Sequence, residues 1–260
     1  WVHGFGEGYV KGSFSYYSSS DSFNQGVSTG LQFESFTYRV YAELGLPANF
    51  QFAFDVPYQV AVNESGSGIE YNNHTFGDVN LRLDYGLPTP IPMSINVGVK
   101  IPAYTPIGRQ GDDGVVTLDG QTWTLETFPD VGDGQVDLTA TISAGYSFPT
   151  VPIWLNADLG YQHRFGVFVD GLYAALGVGG YVWPGHIAVG VYSNGIFTLT
   201  EDEDPDVRAS KEYIYTQGYL LITGAPWVPD LGLTFAVGGT PYAEQTSKGI
   251  DYSVGLSYQF

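Results

Sequence analysis

The sequence predicts an all-β chain: a transmembrane, antiparallel, up-and-down β-barrel of about 12 strands, with short periplasmic turns and long extracellular loops. Three observations carry this expectation. Apolar and polar residues alternate with a period of two over long stretches. Proline-containing turns alternate with longer polar segments. Charged residues make up only 14% of the 260 residues, against about 25% in an average soluble domain.

The C-terminal segment shows the alternation most plainly. Ile250, Tyr252, Val254, Leu256, Tyr258 and Phe260 fall on one face, and Asp251, Ser253, Gly255, Ser257 and Gln259 on the other. That is the pattern of a strand with one apolar face. Upstream, the run from Phe50 to Val62 sets aromatic and branched residues against Gln51, Ala53, Asp55, Gln59 and Asn63. Val79 to Leu87 does the same against Asp78, Asn80, Arg82 and Asp84. The pattern recurs over Ile95–Ile101, Val136–Phe148 and Leu155–Tyr161.

Tight turns are expected at Pro47-Ala48-Asn49, Pro88 to Pro92, Pro149 to Pro152, Pro184-Gly185 and Pro226 to Pro229. Longer polar segments lie between them, at about 18–30, 63–76, 103–133, 165–170, 200–210 and 239–249. Five turns alternating with six loops require twelve strands, with both chain ends on the tight-turn side. Strands of about ten to fifteen residues suit a tilted crossing, for which 9–11 lie in the hydrocarbon. The chain reads as a single barrel domain over residues 1–260.

Alternation does not by itself say which face is outside. The polar face is mostly Ser, Thr, Asn, Gln and Gly with scattered charges of both signs, which suits a wet lumen. Trp154, Trp183 and Trp227 fall at tight turns, where an interfacial aromatic girdle would place them; the competing reading is that they plug the end of a soluble barrel. The run ending in Tyr258 and Phe260 resembles the terminal signal read by the barrel-assembly machinery. The lipid bilayer and lipopolysaccharide are therefore the expected surroundings, in the outer membrane of a Gram-negative envelope.

Other classes are excluded. The chain has no cysteine, hence no disulfide framework or thiolate metal site. The uncharged segment Gly171 to Thr200 is rich in glycine and broken at Pro184, which opposes a membrane helix. A net charge of −18 with nine Lys plus Arg argues against nucleic acid as a partner. The start at Trp1, without a charged-then-apolar leader, reads as a trimmed form.

The expected lumen carries Arg39, Arg82, Lys100 and Arg164 together with Glu43, Asp55, Asp84, Asp137 and Asp158. Such charges tune the selectivity of a permeation path, or pair across strands because buried charges need partners; both readings stay open here. The third loop, with Asp112, Asp113, Asp119, Trp123, Glu126 and Phe128, is long enough to fold inward as a constriction. A second acidic run, Glu201 to Asp206, lies in the fifth loop. The acid draws cations to the mouth; calcium binding is conceivable, but no EF-hand spacing is present, and no cofactor is expected. Enzymatic signals are weak. His3, His74, His163 and His186 show no ligand spacing, and His163 near Ser210 or Thr200 is the one conceivable hydrolase pairing.

Four segments carry a resemblance: Gly77 to Tyr85, Val97 to Pro102, Gly132 to Leu138 and Leu159 to Phe165. They are similar to the outer-membrane barrel family named for the MetA pathway of phenol degradation. The resemblance implies a monomeric barrel that transports small, hydrophobic or aromatic compounds, with no catalytic set. The expected function is thus a non-enzymatic channel passing small solutes, aromatic or cationic ones included. The alternatives are a plugged barrel acting as a surface-interaction protein and an outer-membrane lipid hydrolase.

Overall fold

Thirteen strand segments hydrogen-bond into one antiparallel sheet that closes on itself. A computed structural model of the chain describes residues 2–19, 23–24, 27–28, 32–64, 70–104, 115–118, 121–124, 131–132, 134–165, 169–199, 212–225, 228–244 and 248–260. The strands are β1 (Gly8–Ser19), β2 (Gln32–Leu46), β3 (Phe50–Glu64), β4 (Glu70–Phe76 with Asp78–Leu87), β5 (Met93–Pro102) and β6 (Asp137–Ser147). They continue as β7 (Ile153–Arg164), β8 (Gly171–Trp183), β9 (Ile187–Thr198), β10 (Glu212–Ala225), β11 (Val228–Glu244) and β12 (Ile250–Gln259). Each pairs with its sequence neighbour, and β1 closes the ring on β12, from Tyr9 opposite Gln259 to Ser18 opposite Ile250. The result is a closed, twelve-stranded antiparallel barrel, and closure leaves no unpaired edge.

β4 is one crossing interrupted at Gly77. Tyr58 of β3 faces Phe76 and Asp55 faces Asn80, so Val56 and Pro57 oppose Gly77, Asp78 and Val79. The extra residue is a bulge. Pro57 is the cause: it has no N–H to give the ladder, and its carbonyl accepts from the Gly77 N–H at 2.9 Å.

Burial is inverted relative to a soluble domain. Among the described residues the buried apolar ones are all alanines, Ala53, Ala61 and Ala188 included, while the largest fully buried side chains are Gln51 and Asp137. Leu159, Leu176 and Leu256 are 64%, 63% and 54% exposed. Burying one such side chain is worth about 1.5–3 kcal/mol, so a continuous outer belt of them is stable only in lipid. The alternating apolar face therefore points outward, as the composition of the polar face predicted, and the sheet crosses the bilayer. Among the described residues no helix is long and apolar enough to do so.

The five short connections fall where the prolines predicted them, and the long ones lie at the opposite end. Two expected loops are shorter than their sequences imply. The ladder of β4 already begins at Glu70, with Asn72 opposite Val62 and His74 opposite Val60. β11 runs on to Glu244. Both extensions are polar strand ends above the apolar belt, where backbone pairing continues without apolar alternation. The loop between β5 and β6 contains a small ladder, Val115–Leu118 with Gln121–Thr124. Trp154 departs from the expected girdle. It shares the parity of Asn156 and Asp158, and a Cβ on Gly179 would lie 2.4 Å from its ring, so it packs inside. Trp183 is 61% exposed at the turn after β8, and Trp227 lies outside the described residues.

Candidate functional site

The lumen has two unlike walls. On β2 to β7 the inward positions carry charges that pair with one another. Toward the short-turn end Arg82 holds Asp84 with two bonds, Nε to Oδ1 at 2.7 Å and Nη2 to Oδ2 at 3.0 Å. The Asp84 carboxylate also accepts from Gln51 Nε2 at 3.0 Å, and Arg82 reaches Glu43 at 3.5 Å and the Tyr41 hydroxyl at 3.4 Å. Tyr41 donates to Glu43 in turn. One level toward the long loops, Arg39 lies 3.4 Å from Asp55. At the long-loop end Asp137, wholly buried, accepts from Lys100 at 2.7 Å, Gln162 at 2.7 Å and Arg164 at 3.4 Å. Removing one member of such a set leaves the others uncompensated, which is why they occur together.

The other wall, β8 to β12 with β1, presents tyrosines. A cavity of about 1050 Å³ is lined by Tyr9, Tyr17, Tyr41, Tyr173, Tyr192, Tyr213 and Tyr215, together with Lys11, Arg39, Arg82 and Asp251. Its size suits a small organic molecule. The Tyr173 and Tyr192 hydroxyls bond at 2.9 Å, and Tyr215 donates to Asp251 at 2.6 Å. Inward glycines make room for these rings: a Cβ on Gly238 would lie 2.3 Å from the Tyr215 hydroxyl. A smaller pocket of about 280 Å³ continues beneath Arg82 toward Lys100 and Thr139.

Of the sequence-predicted lumen residues, Arg39, Glu43, Asp55, Arg82, Asp84, Lys100, Asp137 and Arg164 are brought together in the paired sets above. Asp158 stands apart. It lies within electrostatic reach of Tyr173 and Tyr192 and has no cationic partner among the described residues. Lys11, which the sequence reading missed, is its counterpart on β1: it has no carboxylate partner among the described residues, and its stem lies against Gly255. The signal for Lys11 was present in Tyr9, Lys11, Ser13, Ser15 and Tyr17, which alternate with Val10, Gly12, Phe14 and Tyr16. Tyrosine on both faces obscured it.

Of the expected constriction residues, Asp112, Asp113, Asp119, Glu126 and Phe128 lie outside the described residues, as does the acidic run of the fifth loop. Trp123 is in the small ladder of the third loop. The base of that loop is clasped where the Gly134 N–H donates to the Tyr104 hydroxyl at 2.9 Å. Tyr258 and Phe260 stand on the outer face with rings stacked 6.3 Å apart, and Phe260 exchanges backbone bonds with Gly8.

At the long-loop rim Asp170 gathers Tyr161, His163 and the backbone of Arg164. His163 Nδ1 lies 3.0 Å from its carboxylate and the Arg164 N–H donates at 2.8 Å, while the Tyr161 hydroxyl also donates. Partial desolvation pushes the Asp170 carboxyl up, but these bonds outweigh it and hold the group down at about 2. Among the described residues no serine or threonine hydroxyl bonds His163, and no group of three or more acidic or histidine residues could hold a metal ion.

No protein-family model and no curated protein matches the chain. Solved structures do. The chain resembles the COG4313 outer membrane channel from Pseudomonas putida F1 with a TM-score of 0.73 at 11% identity, over 100% of this chain and 97% of that one. The fold is that of outer-membrane barrels. The NanC porin follows with a TM-score of 0.55 at 7% identity, over 96% and 100% of the two chains. The translocator domain of the autotransporter NalP from Neisseria meningitidis gives 0.54 at 10% identity, over 99% and 90%. A porin and an autotransporter domain on one architecture leave function to be read from the lumen.

Proposed function

We propose that this chain is a passive outer-membrane channel for small solutes, aromatic and neutral ones foremost, with little preference between ions within its lumen. One observation carries the reading: the lumen holds a cavity of about 1050 Å³ lined by tyrosines and polar side chains rather than a packed apolar core. A barrel of twelve strands lies between those of eight, just filled by side chains, and those of sixteen or more with open channels. The charged wall supports the weak ionic preference, since Arg39, Arg82, Lys100 and Arg164 each face a carboxylate. Tyrosine faces and hydroxyls favour planar solutes that also form hydrogen bonds. The resemblance of residues 77–85 and 159–165 to the phenol-degradation barrel family is in keeping with this. In the same reading the short turns are periplasmic, the long loops extracellular, and Tyr258 with Phe260 the assembly signal of a single-domain barrel.

Vesicles carrying the folded protein test it. They are expected to take up a neutral, poorly membrane-permeant aromatic such as a phenyl glucoside, and small sugars more slowly, at rates above protein-free vesicles. Equal rates with and without protein, for barrels shown to be folded by their heat-dependent gel mobility, would refute the channel.

A further inference from the structure

Lys11 and Arg39 are neighbours across the β1–β2 ladder. Lys11 stands opposite Tyr41, and Arg39, two residues before Tyr41, stands opposite Ser13. Diagonal neighbours of this kind lie about 7–8 Å apart along the sheet, within reach of long side chains. Both side chains border the large cavity. The charge felt by Lys11 is that of Arg39, another cation, and like charges this close repel.

Neither cation is satisfied. Lys11 makes no hydrogen bond and no ion pair among the described residues; only its stem is packed, against Gly255. Arg39 meets Asp55 at one edge. Its Nε lies 3.4 Å from Asp55 Oδ1 without hydrogen-bonding it, and that oxygen has no other hydrogen-bond partner. The second Asp55 oxygen accepts from Asn80 at 3.5 Å. The two terminal nitrogens of Arg39 thus have no acceptor among the described residues, and the side chain is 49% exposed. Elsewhere the same wall fills such donors: Arg82 holds Asp84 with two bonds, and Lys100 meets Asp137 at 2.7 Å. In a chain with nine Lys plus Arg against 27 Asp plus Glu, two adjacent cations sharing one poorly placed carboxylate are not a result of composition.

Aromatic rings stand around the pair. Those of Tyr9 and Tyr41 lie 6.2 Å apart, edge to face, and border the same cavity. From the other wall Tyr215 comes within electrostatic reach of Arg39.

We infer that Lys11 and Arg39 form a seat for one carboxylate and that the surrounding tyrosines take an aromatic ring, so that the lumen holds aromatic monocarboxylates. The inference deepens the channel reading and rests on it for transport; the seat itself rests on the geometry. Lys11, Arg39 and Asp55 together carry one net positive charge, which a monoanion cancels. A carboxylate has one oxygen for the Lys11 ammonium and one for the Arg39 guanidinium, and its charge relieves the repulsion between them. Tyrosine faces then hold a planar ring beside it. A neutral aromatic passes the same place without that relief.

The seat is tested by binding, without reference to flux. Folded protein in an uncharged detergent is titrated calorimetrically with benzoate at low salt, against protein-free micelles. Saturable binding of benzoate is expected. Benzamide keeps the ring and the shape but not the charge, and should bind about tenfold more weakly or less, the effect of losing charge-assisted hydrogen bonds. Acetate keeps the charge without the ring and should also bind more weakly. Lys11→Gln should weaken benzoate about tenfold by the same reasoning, and Lys11→Arg should restore most of the loss. Lys11 holds no carboxylate in the empty lumen, so its removal orphans no buried charge and the variant should fold; where it does not, the ligand comparison in the unaltered chain decides. Benzamide bound as tightly as benzoate, or benzoate bound equally by folded Lys11→Gln, overturns the seat. Acetate bound as tightly as benzoate overturns the part given to the ring. Vesicle uptake of a phenyl glucoside separates the two readings. Uptake without benzoate binding overturns the seat and leaves the channel, and benzoate binding without uptake of any solute overturns the channel and leaves the seat.

Discussion

The two walls of the lumen are built from the same strand period but solve the burial of polar groups in opposite ways. On β2 to β7, cations and carboxylates satisfy one another: Asp137 is wholly buried yet bonded to Lys100, Gln162 and Arg164. On β8 to β12, neutral hydroxyls meet one another or a single carboxylate, as in Tyr173 with Tyr192 and Tyr215 with Asp251. The first wall is stiff and costly to break, because each charge has been taken out of water against its partner. The second is loosely bonded and borders the large cavity. The difference teaches that paired charge in this lumen serves mainly to hold strands together, and that the surface offered to a solute is tyrosine interspersed with hydroxyl, amide and a few charged side chains.

The comparison can be broken by substitution. Asp137→Ala should have the largest effect, a loss of about 3–5 kcal/mol, because it takes the buried carboxylate from both Lys100 and Arg164 and leaves Lys100 with Asp78 at 3.7 Å; it is read as a lower urea midpoint in vesicles. A much smaller loss would mean that this wall is wet and its pairs weak. On the other wall Tyr215→Phe removes one hydroxyl from Asp251 and should cost only about 1–2 kcal/mol by the same measurement. Removing a pair whole, as Arg39→Gln with Asp55→Asn, should leave ion selectivity nearly unchanged, since opposite charges go together. The smallest effect lies at the rim. Because the folded Asp170 carboxyl is held near 2, below its unfolded value of about 3.9, its contribution is present above about pH 4 and is lost as pH falls through 2. Hydrogen exchange at the Arg164 amide should rise over that window beyond the intrinsic trend, and the rise should be absent in Asp170→Asn.

Much of the fold was legible because its cause is local. Ile250 to Phe260 alternates without exception, and a proline marks each short turn. The polar extensions at Glu70 and Glu244 were not, because above the lipid belt pairing continues without an apolar pattern to announce it. Trp154 was placed by its nearness to a turn when its parity with Asp158 already put it inside. The charged residues of the lumen could be listed from parity, but not sorted. That Asp84 also meets Gln51, and that Asp158 meets no cation among the described residues, depends on registers between strands distant in sequence. Lys11 and the inward tyrosines were hidden for a chemical reason: tyrosine suits lipid interface and wet lumen alike, so Tyr16 and Tyr17 read the same from sequence while facing opposite ways. His3 was hidden because its partners, Glu43 and Gln51, lie on strands far along the chain.

The central claim is that solutes pass through a lumen whose wall cations, Lys11 apart, are each paired with a carboxylate, while Asp158 and Asp251 face no cation among the described residues. It is tested most directly by the zero-current potential of single channels in a planar bilayer under a salt gradient. The account predicts discrete conductance steps with a small potential for the unaltered chain, moved toward cation preference by Lys11→Gln and toward anion preference by Asp158→Asn. Folded barrels that carry no current, or two variants that leave the potential where it was, would contradict it.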